Sequence, residues 1–453
     1  MVAVDALALM FGASSWMSVI SLFMEMPIMV EQLPESWALP TYLTAIVQLA
    51  SVAPLLYGLV KKYGGPLVHP PTWIISLLVL AVVSTVLLAF FWQRTAFVFG
   101  AERSVVLFAL CFFLAVVNCT SNVLFMPYMA RFQHRHLTAY FVGMGCGSLF
   151  PSLLVLAQGS SSSSSKCSSH DLPNLNTTTP DPFVKAAAGA ESTVRFSPTV
   201  FFLAMAALLT ASTASFATMN WASFAKKAQR KPTIALRDVS QRNLENGGPK
   251  KPTSAQQVAP ARPVVNRVPS KQEAASTQPT ELSNTAYYVL LLIIFWVCAL
   301  SMGVLPSVES YSALPYGSGT YHLLLALQNI ANPLVCFIPF FWRLTNQTAL
   351  YMLAALGTLG SAYLLLLAAA SPTAILGDDG LGSVVCIVVG ILSFASLSYL
   401  RTSIAGVLRA ATGNAEKRLF YMGAATQLGA FLGALVMFFL VSIGKIFKQA
   451  AKC

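Results

Sequence analysis

Long stretches of this chain run apolar, and short polar segments punctuate them. Eleven such runs stand out, at about 5–26, 41–60, 73–92, 104–126, 137–158, 198–220, 285–305, 320–342, 348–370, 381–400 and 419–446. Each approaches the roughly 20 residues a helix needs to cross the hydrocarbon core of a bilayer. A bilayer admits helices or a closed barrel. Unbroken apolar runs without period-two alternation select helices. The pattern predicts an all-α polytopic membrane protein.

Polar residues inside the runs recur. Glu35-Ser36-Trp37-Ala38-Leu39-Pro40 leads into a run carrying Tyr42, Gln48 and Pro54, and Glu309-Ser310-Tyr311-Ser312-Ala313-Leu314-Pro315 leads into one carrying Tyr321, Gln328 and Pro333. The tyrosines are offset by 279 (321 − 42), the prolines likewise, and the glutamines by 280. Tyr140-Phe141-Val142-Gly143 is echoed at 280 by Phe420-Tyr421-Met422-Gly423, and Thr120-Ser121 more faintly by Thr402-Ser403. A repeat that reads in the same direction needs an even number of spans between its copies. The expectation is two parallel halves of six and five spans, with a substrate site between them, as in major-facilitator transporters. The expected units are 1–220, a linker 221–284 and 285–453.

Charge sets the orientation. The chain is 56% hydrophobic and 10% charged, with a net charge of +12; soluble proteins carry about 25% charged residues. Eleven of its 28 Lys and Arg lie in residues 221–284. That segment is rich in Pro, Gln and Ser, so it reads as a disordered cytoplasmic linker touching anionic lipid at most weakly, and nucleic acid is not an expected partner. With the N-terminus inside, inner loops hold 20 Lys and Arg, Arg401 among them, and outer loops hold 5. Eleven spans then place the tail, with Lys445, Lys448 and Lys452, outside, against the trend. The first run begins almost at Met1 without a basic leader, so it reads as a retained span. Asn176-Thr177-Thr178 is a glycosylation acceptor in the expected outer loop 159–197.

Of eight cysteines, six lie in or beside apolar runs, and no disulfide framework or metal spacing is visible. His134 and His136 read as solvated in a basic inner loop. Gly143, Gly145, Gly147, Gly423, Gly429 and Gly433 read as sites of close helix packing. Polar side chains within spans mark function. Glu25 closes the first run, where an interface position competes with a site role. Gln328-Asn329-Ile330-Ala331-Asn332-Pro333 reads as a broken helix lining a cavity. Trp16, Tyr42, Tyr140, Tyr311 and Tyr321 are candidates for stacking on a flat ligand. No nucleophile with a base or paired acid stands inside the runs, so an enzyme is not expected.

Further segments carry a family resemblance. They are Ser15-Trp16, Met24-Glu25-Met26-Pro27, Glu31-Gln32-Leu33-Pro34-Glu35-Ser36-Trp37, Cys119-Thr120-Ser121-Asn122-Val123, Phe125-Met126-Pro127 and Leu156-Ala157-Gln158-Gly159. In the second half they are Gly303-Val304-Leu305-Pro306-Ser307-Val308, Tyr316-Gly317, Tyr321-His322-Leu323, Ala331-Asn332-Pro333-Leu334 and Gln427-Leu428-Gly429. In these the chain resembles the eukaryotic riboflavin transporters, solute carrier family 52. The resemblance implies eleven spans, a cytoplasmic N-terminus and riboflavin uptake at the plasma membrane without ATP or cofactor. Ile20, Phe23 and Met144 depart from the residues expected there, which bears on the ligand pose.

Riboflavin is flat, with a polar edge and a hydroxylated tail. Gln48, Asn122, Asn329, Asn332 and Gln427 offer donors and acceptors to it, Trp16 and a tyrosine cover its rings, and Glu25 accepts from hydroxyls or an imide N–H. Ser21, Thr120, Tyr140, Tyr311, Tyr321 and Gln328 complete the expected contacts. A nucleoside or nucleobase carrier and a non-transporting receptor are the alternative readings.

Overall fold

The computed structural model describes residues 2–63, 69–98, 100–129, 131–132, 134–159, 194–227, 282–341, 344, 346–376, 380–411 and 415–449. The expected glycan site Asn176 and nearly all of the expected linker lie outside them.

The first half opens with α1 (Val2–Met24), which is interrupted at Glu25, and α2 (Met26–Gln32), which carries Pro27 in its first turn. A 3-10 turn at Ser36–Ala38 leads into α3 (Leu39–Ala50), followed by α4 (Ala53–Tyr63) and α5 (Pro70–Phe91). A two-stranded hairpin, β1 (Ala96–Val98) and β2 (Ala101–Arg103), precedes α6 (Val105–Met129), α7 (His134–Gln158), α8 (Pro198–Trp221) and the short α9 (Ser223–Lys227). In the second half α10 (Asn284–Cys298) passes through a π-helical stretch, Ala299–Val304, into α11 (Leu305–Ala313). Then come α12 (Ser318–Phe341), α13 (Gln347–Ala370), α14 (Leu381–Ala410) and α15 (Ala415–Phe438). Proline, which lacks an N–H, sits in the first turn of α2, α3, α5, α8 and α11, where that donor would have no partner anyway.

Among the described residues nine helical stretches are long and apolar enough to cross a membrane. The second apolar run is divided between α3 and α4, and α12 is a 24-residue helix. The division falls at Ser51-Val52, just ahead of Pro54. The expected break was at the equivalent Pro333, yet α12 runs on to Phe341. Its amides bond within their own helix: Asn329 Nδ2 donates to the Leu325 carbonyl at 3.0 Å, and Cys336 Sγ contacts Asn332 Oδ1 at 3.7 Å.

Glycines fix the tightest helix pairs. A Cβ on Gly143 or Gly147 would collide with the Leu9 or Ala13 carbonyl, which seats α7 directly on α1. A Cβ on Gly429 or Gly433 would collide with the Phe295 or Ala299 carbonyl, which seats α15 on α10 and its π-helical extension. Each second-half residue lies 286 positions after its counterpart (295 − 9, 299 − 13, 429 − 143, 433 − 147). The pairing of Gly143 with Gly423 is therefore six residues out of register, and a Cβ on Gly423 would meet nothing within 4 Å. The tetrapeptides share residue types but not surroundings: Tyr140 is fully buried, whereas Phe420 is 71% exposed. Backbone approach, not aromatic content, sets the structural equivalence.

Candidate functional site at the seam between the halves

The halves meet at one end of the bundle, the end reached by α1 at Met24. There Thr41 Oγ1 donates to the Ser307 carbonyl at 2.7 Å, and Ser310 Oγ donates to the Trp37 carbonyl. The His322 ring Nε2 is 3.0 Å from the Val155 carbonyl and donates to it, since a carbonyl only accepts. Gln48 Nε2 reaches the Met302 carbonyl at 3.3 Å and is the deepest of the set. Rings add to the closure: Trp37 meets Tyr311 edge-on, and Tyr42 meets Phe438 likewise. The bonds of Thr41, Ser310 and His322 gather at this end, and that of Gln48 lies deeper along the seam. At the other end Asp5 joins Arg135 and His136 within the first half.

Behind the seal lie buried polar atoms without partners. The α1 interruption turns Glu25 inward: it is fully buried, and both carboxylate oxygens are unpartnered. The Gln158 side chain lies beside it but donates to the Phe196 carbonyl at 3.1 Å, which leaves Gln158 Oε1 free. Glu25 has no cation beside it among the described residues, and its burial does not fit an exposed interface position. In the second half Glu309 is buried facing Tyr321, Gln328 and Cys386. Gln328 Nε2, Gln48 Oε1, Thr44 Oγ1 and Thr120 Oγ1 are buried and unpartnered.

A polar stripe descends α1 from Glu25 through Ser21, Ser18 and Ser14, spaced three and four residues apart along one helix face. Ser18 Oγ donates to Asn118 Oδ1 at 3.3 Å, and Asn118 Nδ2 has no partner. Asn118 and Gln158 are the polar residues that sequence reasoning missed as site candidates. Their signal was available: an amide within an apolar run, and hydroxyls at helical spacing that point toward it.

The remaining candidates divide. Trp16 is half-buried on α1, and Ser21 Oγ is spent on its own helix, donating to the Ser18 carbonyl. Asn122 lies on α6 two residues beyond Thr120. Asn329 and Asn332 are half-buried on α12, and Gln427 is exposed on α15. Several tyrosines are occupied. Tyr140 is buried against Phe11 with its hydroxyl 3.2 Å from Ser15 Oγ. Tyr42 stacks on Phe108 and takes a hydrogen bond from Arg103. Tyr311 packs between Trp37 and Phe447, and Tyr321 is buried beside Glu309.

Two loop assignments change. His136 is not solvated: it is fully buried, with Nδ1 2.6 Å from Asp5 Oδ1, because the first turn of α1 packs on the first turn of α7. Arg401 is not in a loop: α14 extends past it to Ala410.

The arrangement suits a neutral, polar, ring-bearing ligand held between two bundles, with donors and acceptors on both sides. Two solved structures share the fold: a D-xylose-proton symporter (TM-score 0.54, 11% identity, covering 96% of this chain and 89% of that one) and the nucleoside transporter NupG (TM-score 0.51, 11% identity, covering 96% and 90%). Riboflavin transporter 2 of Salmo salar is 34% identical over 467 residues, covering 99% of this chain and 97% of that protein. Riboflavin transporter rft-2 of Caenorhabditis elegans is 34% identical over 475 residues, with 99% and 97% covered. Member 3 of solute carrier family 52 from Homo sapiens is 32% identical over 475 residues, with the same coverage. The profile described as "Solute carrier family 52, riboflavin transporter" matches residues 1–449, and the chain belongs to that family.

Proposed function

We propose that this protein carries riboflavin into cells across the plasma membrane by alternating access, with the ligand held at the seam between its halves. The observation that carries the reading is Glu25, a fully buried carboxylate with two unpartnered oxygens behind a sealed end. A ligand rich in hydroxyls and N–H groups supplies the donors that such a group lacks. Gln48 and Gln328 offer amides from the two halves, and half-buried Trp16 offers a ring face.

The excess of Lys and Arg on the N-terminal side puts the N-terminus in the cytoplasm. The sealed end then faces outward, so this conformation is closed to the exterior. The segment containing Asn176 is extracellular and glycosylated in this arrangement.

Concentration-dependent uptake of radiolabelled riboflavin in cells lacking other carriers tests the function. Saturable uptake that lumiflavin competes and uridine does not is expected. Competition by uridine instead makes the chain a nucleoside carrier. Surface binding without accumulation makes it a receptor.

A further inference from the structure

Arg401 occupies a position that transport of a neutral vitamin does not by itself require. Its Nη1 contacts Met302 Sδ at 3.7 Å. Met302 is also the residue whose carbonyl takes the Gln48 amide of the other half. The guanidinium and Gln48 thus converge on one residue from opposite sides of the seam.

Met302 lies 18 residues (302 − 284) into the 33-residue stretch Asn284–Tyr316. At 1.5 Å per residue that is about 27 Å along it, near mid-depth. The other groups facing the Arg401 charge are the thiols of Cys298 and Cys336. Thiols and thioethers are weak acceptors, whereas a guanidinium carries five N–H donors and accepts nothing. Among the described residues no carboxylate pairs with Arg401. The side chain is half-buried, so some of it is open to a ligand. A cation without a carboxylate partner inside a spanning stretch is costly and marks function. Gln48 Oε1, buried and unpartnered, completes the set.

We propose that Arg401 is a substrate-binding residue that reads the acceptor edge of the ligand. Its planar fork takes two neighbouring acceptors, a carbonyl oxygen and a ring nitrogen, on a flat dioxopyrimidine-type ring, and Gln48 Oε1, from the other half, accepts from the imide N–H beside them. This assignment rests on the riboflavin reading. The competing account is packing alone: a long stem filling space beside sulfur atoms, with its head turned to water.

Uptake kinetics of the full chain in cells, normalised to surface amount, separate the two accounts. Arg401→Gln is expected to raise the KM for riboflavin roughly ten-fold or more while the maximal rate holds, as for loss of charged hydrogen bonds. Arg401→Lys restores only part of the affinity, because an ammonium lacks the fork. The wild type favours riboflavin over its 2-thio analogue, whose sulfur accepts poorly, and Arg401→Gln loses that preference. An unchanged KM, or a preference equal in wild type and variant, overturns the assignment. If Arg401→Gln does not reach the surface, Arg401→Lys decides: wild-type KM and preference overturn it, and a raised KM with weakened preference supports it. A wild type that takes up no riboflavin overturns the transport reading itself and leaves a distinct signature.

Discussion

The rings of Trp37 and Tyr311 meet edge-on, with centroids 5.9 Å apart and planes at 72°. They come from the two echoing segments, Glu35-Ser36-Trp37 and Glu309-Ser310-Tyr311, so the copies of the repeat touch each other. Ser310 adds a hydrogen bond to the Trp37 carbonyl, and Thr41 one to the Ser307 carbonyl. Both bonds run from a side chain to a backbone acceptor, and both must break for this end to open.

Removing those donors opens the seal. Each hydrogen bond contributes about 1 kcal/mol net, so Thr41→Val and Ser310→Ala each shift the equilibrium about five-fold toward opening. A cysteine placed by Ser307→Cys, buried here, reports the shift through its reaction with an impermeant thiol reagent. Equal labelling with and without the two substitutions removes these bonds from the gate.

Glu25→Gln keeps the shape of the side chain and replaces one carboxyl oxygen with an amide nitrogen that cannot accept. Riboflavin uptake falls roughly ten-fold at constant surface abundance, in line with the loss of a hydrogen bond to the ligand. Full uptake by the variant takes Glu25 out of the binding site.

The glycine contacts predict stability. Gly143→Ala and Gly429→Ala force a Cβ into a backbone carbonyl, an overpacking that costs about 1–3 kcal/mol. Gly423→Ala has open space, and alanine favours a helix over glycine by about 1 kcal/mol. Thermal unfolding in detergent should therefore fall for the first two and hold or rise for the third. Three equal shifts would contradict the 286-residue register.

Asn176→Gln tests the orientation. The wild type from mammalian cells shifts in electrophoretic mobility on glycosidase treatment, and the variant migrates at the deglycosylated position. A wild type that glycosidase does not shift argues against an extracellular 159–197.

Fold class was legible because the bilayer admits few solutions and apolar runs announce helices by length alone. Helix partners were not legible. The serine-lined face of α1 marks a packed side, but nothing along it names α7 as its neighbour. Gly143 and Gly147 marked that close packing would occur, but not where. The proline rule failed at Pro333, which lies within α12, and held at Pro54, which falls in the first turn of α4 where a missing N–H has no partner to lose. Arg401 was misplaced because a cation at the end of an apolar run looks like a loop charge, and only the length of α14 corrects it. Glu25 was legible as polar and near a proline. Its burial followed from the turn that separates α1 from α2, which composition does not reveal.

The backbone-to-backbone seating of α7 on α1, and of α15 on α10, has a consequence for the transport cycle. Such couples slide past one another only by lifting apart, so each travels as a single beam. Glu25 at the end of α1 and Gln158 at the end of α7 then keep their mutual geometry whichever way the protein faces, while pairs such as Gln48 and Met302 must part and re-form. The vitamin would keep one fixed wall throughout and exchange only the opposite one, so a single wall can hold most of its affinity without trapping it.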